Sequence, residues 1–149
     1  IKFEPPEDLY FVIGIPKIIV PKKKTEAARS ILPLNSSLEN IITNISNAST
    51  IVAGFAYKDV EMIAKGIDDK IVEPARKKMI PGFDKVKEKA INAGALAFTI
   101  SGAGPSIISI LKTDNHSNNI MESIKEGFAE SKIESKVYLC KPSKGVQNW

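Results

Sequence analysis

Residues 95–112 read Ala-Leu-Ala-Phe-Thr-Ile-Ser-Gly-Ala-Gly-Pro-Ser-Ile-Ile-Ser-Ile-Leu-Lys, and this stretch decides the fold. Two apolar, β-prone runs, residues 96–100 and 106–111, flank a Ser-Gly-Ala-Gly-Pro segment, so the pattern predicts a strand, a turn and a strand. Glycine allows positive φ and close approach by a ligand or another backbone, whereas Pro105 biases Gly104 toward extended conformations. The turn is therefore either a plain hairpin loop or a surface against which a ligand lies.

Strands and helices continue on both sides of this stretch. Upstream, residues 9–20 read as a strand, residues 25–67 as several helices and residues 82–93 as another helix. Downstream, residues 118–130 read as a helix and residues 133–139 as a last strand. With 25–67 treated as an insertion, the order predicts an α+β fold of the ferredoxin-like split β-α-β-β-α-β type. That fold has a four-stranded antiparallel sheet with helices on one face.

The inserted segment carries signals for two helix starts. Thr25 is predicted as the N-cap of a short helix, and Ser36 as the start of a longer one with Glu39 in the capping-box position. Apolar residues recur at helical spacing along the longer helix and predict one amphipathic face: Leu38, Ile41, Ile42, Ile45, Val52 and Phe55. Residues 71–80 have no clear period and are predicted to be an irregular connection.

Composition limits the class of protein. The 149 residues are 43% hydrophobic and 26% charged, which predicts one soluble globular domain over residues 1–149. Cys140 is the only cysteine and His116 the only histidine, which excludes a disulfide framework and a Cys/His metal site and favours the cytoplasm. No run is long enough to span a membrane. The net charge of +4 is too small to indicate nucleic acid by itself.

The basic residues are divided very unevenly. Of the 21 lysines and arginines, only Arg29 and Arg76 are arginines. A guanidinium forms a planar fork that matches a carboxylate or phosphate with two hydrogen bonds, which lysine cannot do. The two arginines are therefore either candidates for such a grip or ordinary surface and ion-pair residues.

Three segments carry a resemblance to a known family. Residues 98–106, Phe-Thr-Ile-Ser-Gly-Ala-Gly-Pro-Ser, resemble the third signature of the GHMP small-molecule kinases. Residues 25–33 resemble the Thr-x-x-Ala-Arg-x-x-Leu-Pro segment of the homoserine kinases within that superfamily. Glu73-Pro-Ala-Arg76, followed by Ile-Pro-Gly at 80–82, is similar to another of their segments. The matches occur in family order over most of the chain.

The resemblance implies an activity and a set of residue roles. Homoserine kinases transfer the γ-phosphoryl group of ATP to the hydroxyl of homoserine with Mg²⁺, a step in threonine biosynthesis. Thr25, Arg29 and Arg76 are then expected to bind the substrate, with the arginines on its carboxylate. The turn is expected to support the phosphate loop of another domain, through Ser101, Gly102, Ala103 and Gly104. No catalytic residue and no metal ligand is expected in this chain, and a homodimer is expected.

One departure from the family is large. The Pro-x-x-x-Gly-Leu-Gly-Ser-Ser-Ala phosphate loop of these kinases does not occur in residues 1–149. The chain is therefore expected to be the C-terminal domain only and inactive alone, with ATP and Mg²⁺ held mainly by an N-terminal domain. Alternatives are another GHMP kinase, such as a mevalonate kinase, or a non-enzymatic ferredoxin-like regulatory module. RNA binding is disfavoured because the strand at 106–111 carries no aromatic residue.

Overall fold

The structure is a computed structural model that describes residues 2–19 and 23–143. Its four strands form a single sheet in the order β2-β3-β1-β4, and every neighbouring pair is antiparallel. The strands are β1 (Tyr10–Pro16), β2 (Ala97–Ile100), β3 (Ile107–Leu111) and β4 (Ser135–Cys140). This order confirms the predicted ferredoxin-like sheet, with the Ser-Gly-Ala-Gly-Pro turn joining β2 to β3.

Six α-helices and one turn of 3₁₀ helix accompany the sheet in the described part of the chain. They are α1 (Lys24–Ser30), α2 (Leu38–Tyr57), α3 (Val60–Lys65), α4 (Val72–Arg76), the 3₁₀ turn (Lys77–Met79), α5 (Phe83–Asn92) and α6 (Ser117–Glu130). The two helices of the β-α-β-β-α-β frame are α5 and α6. The other four lie in the connection between β1 and α5.

The main core lies between the sheet and helices α5 and α6. Alternate strand residues point into it, as expected for a half-buried strand, and Val12, Phe98 and Ile107 are almost completely buried. Phe83 of α5 meets Phe98 edge to face, with ring centroids 5.4 Å apart. Helices α5 and α6 each bury apolar residues of one face in this core: Phe83, Val86, Ala90, Ile120, Ile124 and Phe128.

A second core covers part of the opposite face of the sheet. Its buried members come from the chain before β1, from α3 and from the two strands β2 and β3: Leu9, Val60, Ile63, Ala64, Ala97 and Ile110. Phe55, near the end of α2, packs against this group. The inserted segment thus lies on the face of the sheet that α5 and α6 leave open.

Most of the apolar face of α2 remains exposed within the described residues. Leu38, Ile42, Ile45 and Val52 are each more than half exposed, and Gly54 is the one buried residue of the helix. The predicted amphipathic helix therefore exists, but only its C-terminal end packs against the second core. Glu39 is the single charged residue among its 20.

Several predicted boundaries were wrong for local reasons. Ser37, not Ser36, caps α2, because its Oγ accepts a hydrogen bond from the Asn40 amide at 3.2 Å. Thr25 lies inside α1, whose N-cap position is held by Lys23 without a side-chain hydrogen bond. The segment predicted to be an irregular connection contains α4 and the 3₁₀ turn. The strand predicted over residues 9–20 ends at Pro16, and Val20 lies outside the described residues.

Candidate functional site

Arg76 joins three separate parts of the chain. Its Nη1 donates a hydrogen bond to the carbonyl oxygen of Gly102 at 3.0 Å, and its Nε lies 3.4 Å from the carbonyl oxygen of Ala28. The first contact reaches the glycine turn and the second reaches α1. The two arginine-bearing helices and the turn therefore meet at one side chain.

Helix α1 contacts Arg76 through the main-chain carbonyl of Ala28. Ala28 is fully buried, whereas its neighbour Arg29 is exposed. Thr25 and Arg29 are one helical turn apart, so they lie on the same face of α1. The Arg29 side chain makes no hydrogen bond or ion pair with any other residue in the described ranges. It is therefore a cation left open to solvent.

The turn between β2 and β3, residues 101–105, is closed by its own main chain. The Ser101 amide donates to the Ser106 carbonyl at 2.8 Å, and the Gly104 amide donates to the Ser101 carbonyl at 3.1 Å. Gly102 has φ of +59°, and no atom lies within 4 Å of the position that its Cβ would occupy. The amides of Gly102 and Ala103 donate to no group in the described part of the chain, so both are available to an anion.

Gly104 does not adopt the extended conformation that its place before proline predicted. Its φ is +75°, in the left-handed region, which costs glycine little because it has no Cβ. The hydrogen bond from its amide back to Ser101 holds the chain in this conformation. Gly104 is buried, and a Cβ there would lie 3.2 Å from Cγ2 of Ile100.

A carboxylate holds the start of α4, the helix that carries Arg76. Asp69 Oδ1 accepts hydrogen bonds from the amides of Ile71 and Val72, both at 2.8 Å, and from Asn44 Nδ2 of α2 at 2.9 Å. Partial burial raises the pKa of Asp69, but these hydrogen bonds and one from the Glu73 amide outweigh it and hold the pKa below its ordinary 3.8. Helix α4 is thus fastened to α2 at its first turn.

Sequence reasoning missed this support. Asp69 follows Asp68 in a stretch interpreted as a simple turn, and Asn44 lies inside a helix. The available signal was an Asp shortly before a proline-containing helix, since Asp side chains accept hydrogen bonds from the free amides of a helix start. The partnership with Asn44, 25 residues away, has no sequence signal.

Residues 2–19 and 23–143 contain no group of three or more His, Cys, Asp or Glu side chains arranged to hold a metal ion. Their helices are all too short or too polar to cross a membrane.

The fold and sequence can be compared with known proteins. A family model described as "GHMP kinases C terminal" matches residues 35–130. The chain is 37% identical over 146 residues to a homoserine kinase of Pyrobaculum islandicum and 36% identical over 140 residues to one of Chloroherpeton thalassium. These alignments cover 98% and 93% of this chain but 48% and 43% of the relatives. The chain therefore spans about half the length of the curated relatives it matches.

Solved structures agree with these matches. The crystal structure of a homoserine kinase from Cytophaga hutchinsonii superposes with a TM-score of 0.87 at 38% identity, over 95% of this chain and 44% of that one. A mevalonate kinase of L. major in complex with R-mevalonate matches with a TM-score of 0.56 at 13% identity, over 92% and 44% of the two chains, which shows the fold alone. Since the family model spans well over half of this chain, the chain belongs to the C-terminal domain family of the GHMP kinases.

Proposed function

We propose that this chain is the substrate-binding half of an ATP-dependent homoserine kinase, which converts L-homoserine to O-phospho-L-homoserine in threonine biosynthesis. Support comes from the homoserine kinases it resembles in sequence over nearly its whole length. The observation that carries the proposal is the contact of Arg76 with both α1 and the glycine turn. Because Arg76 contacts both α1 and the turn, the three segments that resemble homoserine kinases lie next to one another.

The arginines suit the carboxylate of an amino acid. Arg76 uses Nε and Nη1 on main-chain carbonyls and keeps Nη2 without a partner among the described residues. Arg29 keeps its whole guanidinium, and Thr25 offers a hydroxyl on the same face. We propose that Arg29 and Arg76 hold the carboxylate while Thr25 helps to place the substrate, because charge-assisted hydrogen bonds fix orientation as well as position.

The glycine turn suits a place beside phosphate. Phosphoryl transfer depends on positioning and on stabilisation of charge at the phosphoryl oxygens. The free amides of Gly102 and Ala103 can donate hydrogen bonds to an anion or to the loop that binds one. The main-chain hydrogen bonds of Ser101 and Gly104 close the turn. We propose that this turn supports the phosphate loop of an N-terminal domain.

ATP and Mg²⁺ are assigned mainly to that N-terminal domain. The described residues provide no metal-ligating cluster, so we assign no Mg²⁺ ligand to them. The proposed partners are therefore homoserine, ATP, the N-terminal domain and a second copy of the protein in a homodimer, all in the cytoplasm. In this proposal the chain holds the carboxylate of the substrate and thereby orients the substrate hydroxyl.

A substrate panel tests the proposal. The full-length protein that contains this chain is incubated with ATP, Mg²⁺ and either homoserine or mevalonate, and ADP release and phosphorylated product are measured. We expect homoserine to be the preferred substrate, and we expect the 149-residue chain alone to be inactive. Preference for mevalonate would support the other GHMP kinase, and no turnover with either would favour a regulatory module. Turnover by the isolated chain would contradict its proposed role as half of a site.

A further inference from the structure

A largely buried carboxylate lies one helical turn before Arg76. Glu73 Oε1 accepts a hydrogen bond from Lys87 Nζ of α5 at 2.5 Å, and its Oε2 accepts one from Thr99 Oγ1 of β2 at 2.7 Å. The Glu73 side chain is only 11% exposed. Both carboxylate oxygens are therefore engaged, and the side chain has one position.

Stability alone is a weak reason for this arrangement. Removing most of a carboxylate from water is costly, and an ion pair whose lysine is 34% exposed contributes little net stability. Lys87 is itself held in place, since its Nζ lies 5.9 Å from the centre of the Phe83 ring. The hydrogen bonds among Glu73, Lys87 and Thr99 fix the orientation of α4 relative to α5 and β2, which apolar packing does not do.

These contacts matter because α4 is too short to be stable on its own. It has five residues, and a helix of that length is unstable without external contacts. Asp69 and Glu73 fasten its first turn, while Arg76 at its end makes the contacts that assemble the site. Glu73 and Arg76 are three residues apart, so fixing the first limits where the side chain of the second begins.

The partner of Glu73 on the sheet is also informative. Thr99 lies two residues before Ser101, where the chain enters the glycine turn. Helix α4 is thus joined to the strand that leads into the turn through Glu73, and to the turn itself through Arg76. These two links keep the helix and the turn at a constant distance.

We propose that Glu73 is a positioning residue for Arg76, acting through Lys87 and Thr99, and that its loss weakens binding of the substrate carboxylate without affecting ATP. The inference rests on the proposed function. It assigns Glu73 no contact with substrate, because both of its oxygens face the protein.

Steady-state kinetics of the full-length protein tests this role. The variants are Glu73→Gln, Thr99→Val and Thr99→Ser, measured with homoserine and ATP varied in turn, and the melting temperature of each is recorded. Lys89→Met is the control for the loss of an ion pair on α5: Lys89 is about as exposed as Lys87, but it pairs with Glu126 and Glu130 of α6 rather than with Glu73 of α4.

We expect Glu73→Gln and Thr99→Val to raise KM for homoserine about tenfold, since small displacements of a binding group have large effects, and to leave KM for ATP nearly unchanged. Thr99→Ser keeps the hydroxyl and should behave like the parent, as should Lys89→Met. If Glu73→Gln fails to fold, Thr99→Val, a milder change, still gives the answer.

Two results overturn the inference. One is a parental KM for homoserine in folded Glu73→Gln or, where that variant does not fold, in Thr99→Val. The other is an equal rise in Lys89→Met, which would show a general effect of destabilisation. A parent protein that does not phosphorylate homoserine would instead overturn the proposed function, and this role with it.

Discussion

Helices α1 and α4 each carry one arginine in their last turn, yet they are held very differently. Helix α4 is fastened by side chains at both ends, through Asp69 and Glu73 at its first turn and through Arg76 at its last residue. Helix α1 has no side-chain cap, and the Arg29 side chain has no partner among the described residues. The proposed site therefore has one arginine whose position is set by the fold and one that is free to adjust.

Such a division has a physical advantage. An arginine that is already ordered loses little side-chain entropy when ligand binds, so it contributes more to affinity. It also offers fewer free donors, because Arg76 uses Nε and Nη1 on carbonyls. A free arginine such as Arg29 loses more entropy but can follow the ligand. We expect Arg76 to set the geometry of binding and Arg29 to complete it.

Arg76→Lys is the change that we expect to have the largest effect. Lysine cannot reach two carbonyls and a carboxylate at once, and each charge-assisted hydrogen bond contributes roughly 1.5–3 kcal/mol, so kcat/KM for homoserine should fall about 100-fold. Because the contact with Gly102 is lost as well, kcat should fall along with the rise in KM for homoserine. KM for ATP should stay close to the parental value.

Arg29→Lys is the control for the free arginine. It retains the charge and breaks no contact within the described residues, so a loss of about tenfold or less in kcat/KM is expected. Homoserine amide, which lacks the carboxylate, should distinguish the parent poorly from either lysine variant. Equal losses at the two arginines would remove the distinction between a fixed and a free side chain.

Sequence alone predicted the parts of the molecule that depend on local pattern. The apolar runs at residues 96–100 and 106–111 and the order of the predicted strands and helices were sufficient for the sheet order. It failed where the contact of a residue depends on a partner far away in the sequence. The amide of Asn44 fastens Asp69, and the carbonyl of Gly102 fastens Arg76, across 25 and 26 residues respectively. Exposure of the α2 face was also beyond prediction, because periodicity identifies an apolar face but not whether it is covered.

Gly104→Val should have the second-largest effect, because it disturbs the surface on which Arg76 rests. A β-branched residue is strained at φ of +75°, and its Cβ would press on Cγ2 of Ile100 at 3.2 Å. We expect kcat to fall about tenfold and the protein to lose roughly 2 kcal/mol of stability, since strain of this kind costs about 1–3 kcal/mol. Kinetics and urea unfolding measure the two effects.

Gly102→Ala separates backbone strain from crowding. Gly102 also has positive φ, but a methyl group there meets no other atom within 4 Å. The alanine variant should therefore cost about 1 kcal/mol of stability, from the backbone alone. If Gly104→Val were no worse than Gly102→Ala in kcat, the turn would be a simple hairpin loop.

Asp69→Asn makes the start of α4 more like that of α1. The side-chain NH₂ of asparagine cannot accept the hydrogen bond that the Glu73 main-chain amide donates to Oδ2 of Asp69. Together with the loss of negative charge at the helix start, this should cost about 1 kcal/mol of stability at pH 7. The folded pKa of Asp69 is lowered, so its contribution is complete above the ordinary value of 3.8 and is lost as pH falls through the folded pKa. Urea unfolding should show a gap between parent and variant at pH 7 that closes in acid.

The control for this pH dependence is Glu134→Gln, at an exposed ion pair with Lys17. Exposed pairs contribute little, so this variant should match the parent at pH 7. A gap for Asp69→Asn that persisted unchanged in acid would mean that the hydrogen-bond geometry, rather than the charge of Asp69, holds α4.

Thr25→Val should have the smallest effect, and it tests a side chain of α1, the helix without a side-chain cap. Thr25 is exposed in the first turn of α1 and caps nothing, so its replacement should change stability by no more than about 0.5 kcal/mol. If its hydroxyl helps to place the substrate, one neutral hydrogen bond is lost, about 0.5–1.5 kcal/mol, and KM for homoserine should rise by a few fold. Thr25→Ser keeps the hydroxyl and should restore the parental KM. A clear loss of stability in Thr25→Val would mean that α1 depends on this side chain after all, and the contrast with α4 would then lie in Arg29 alone.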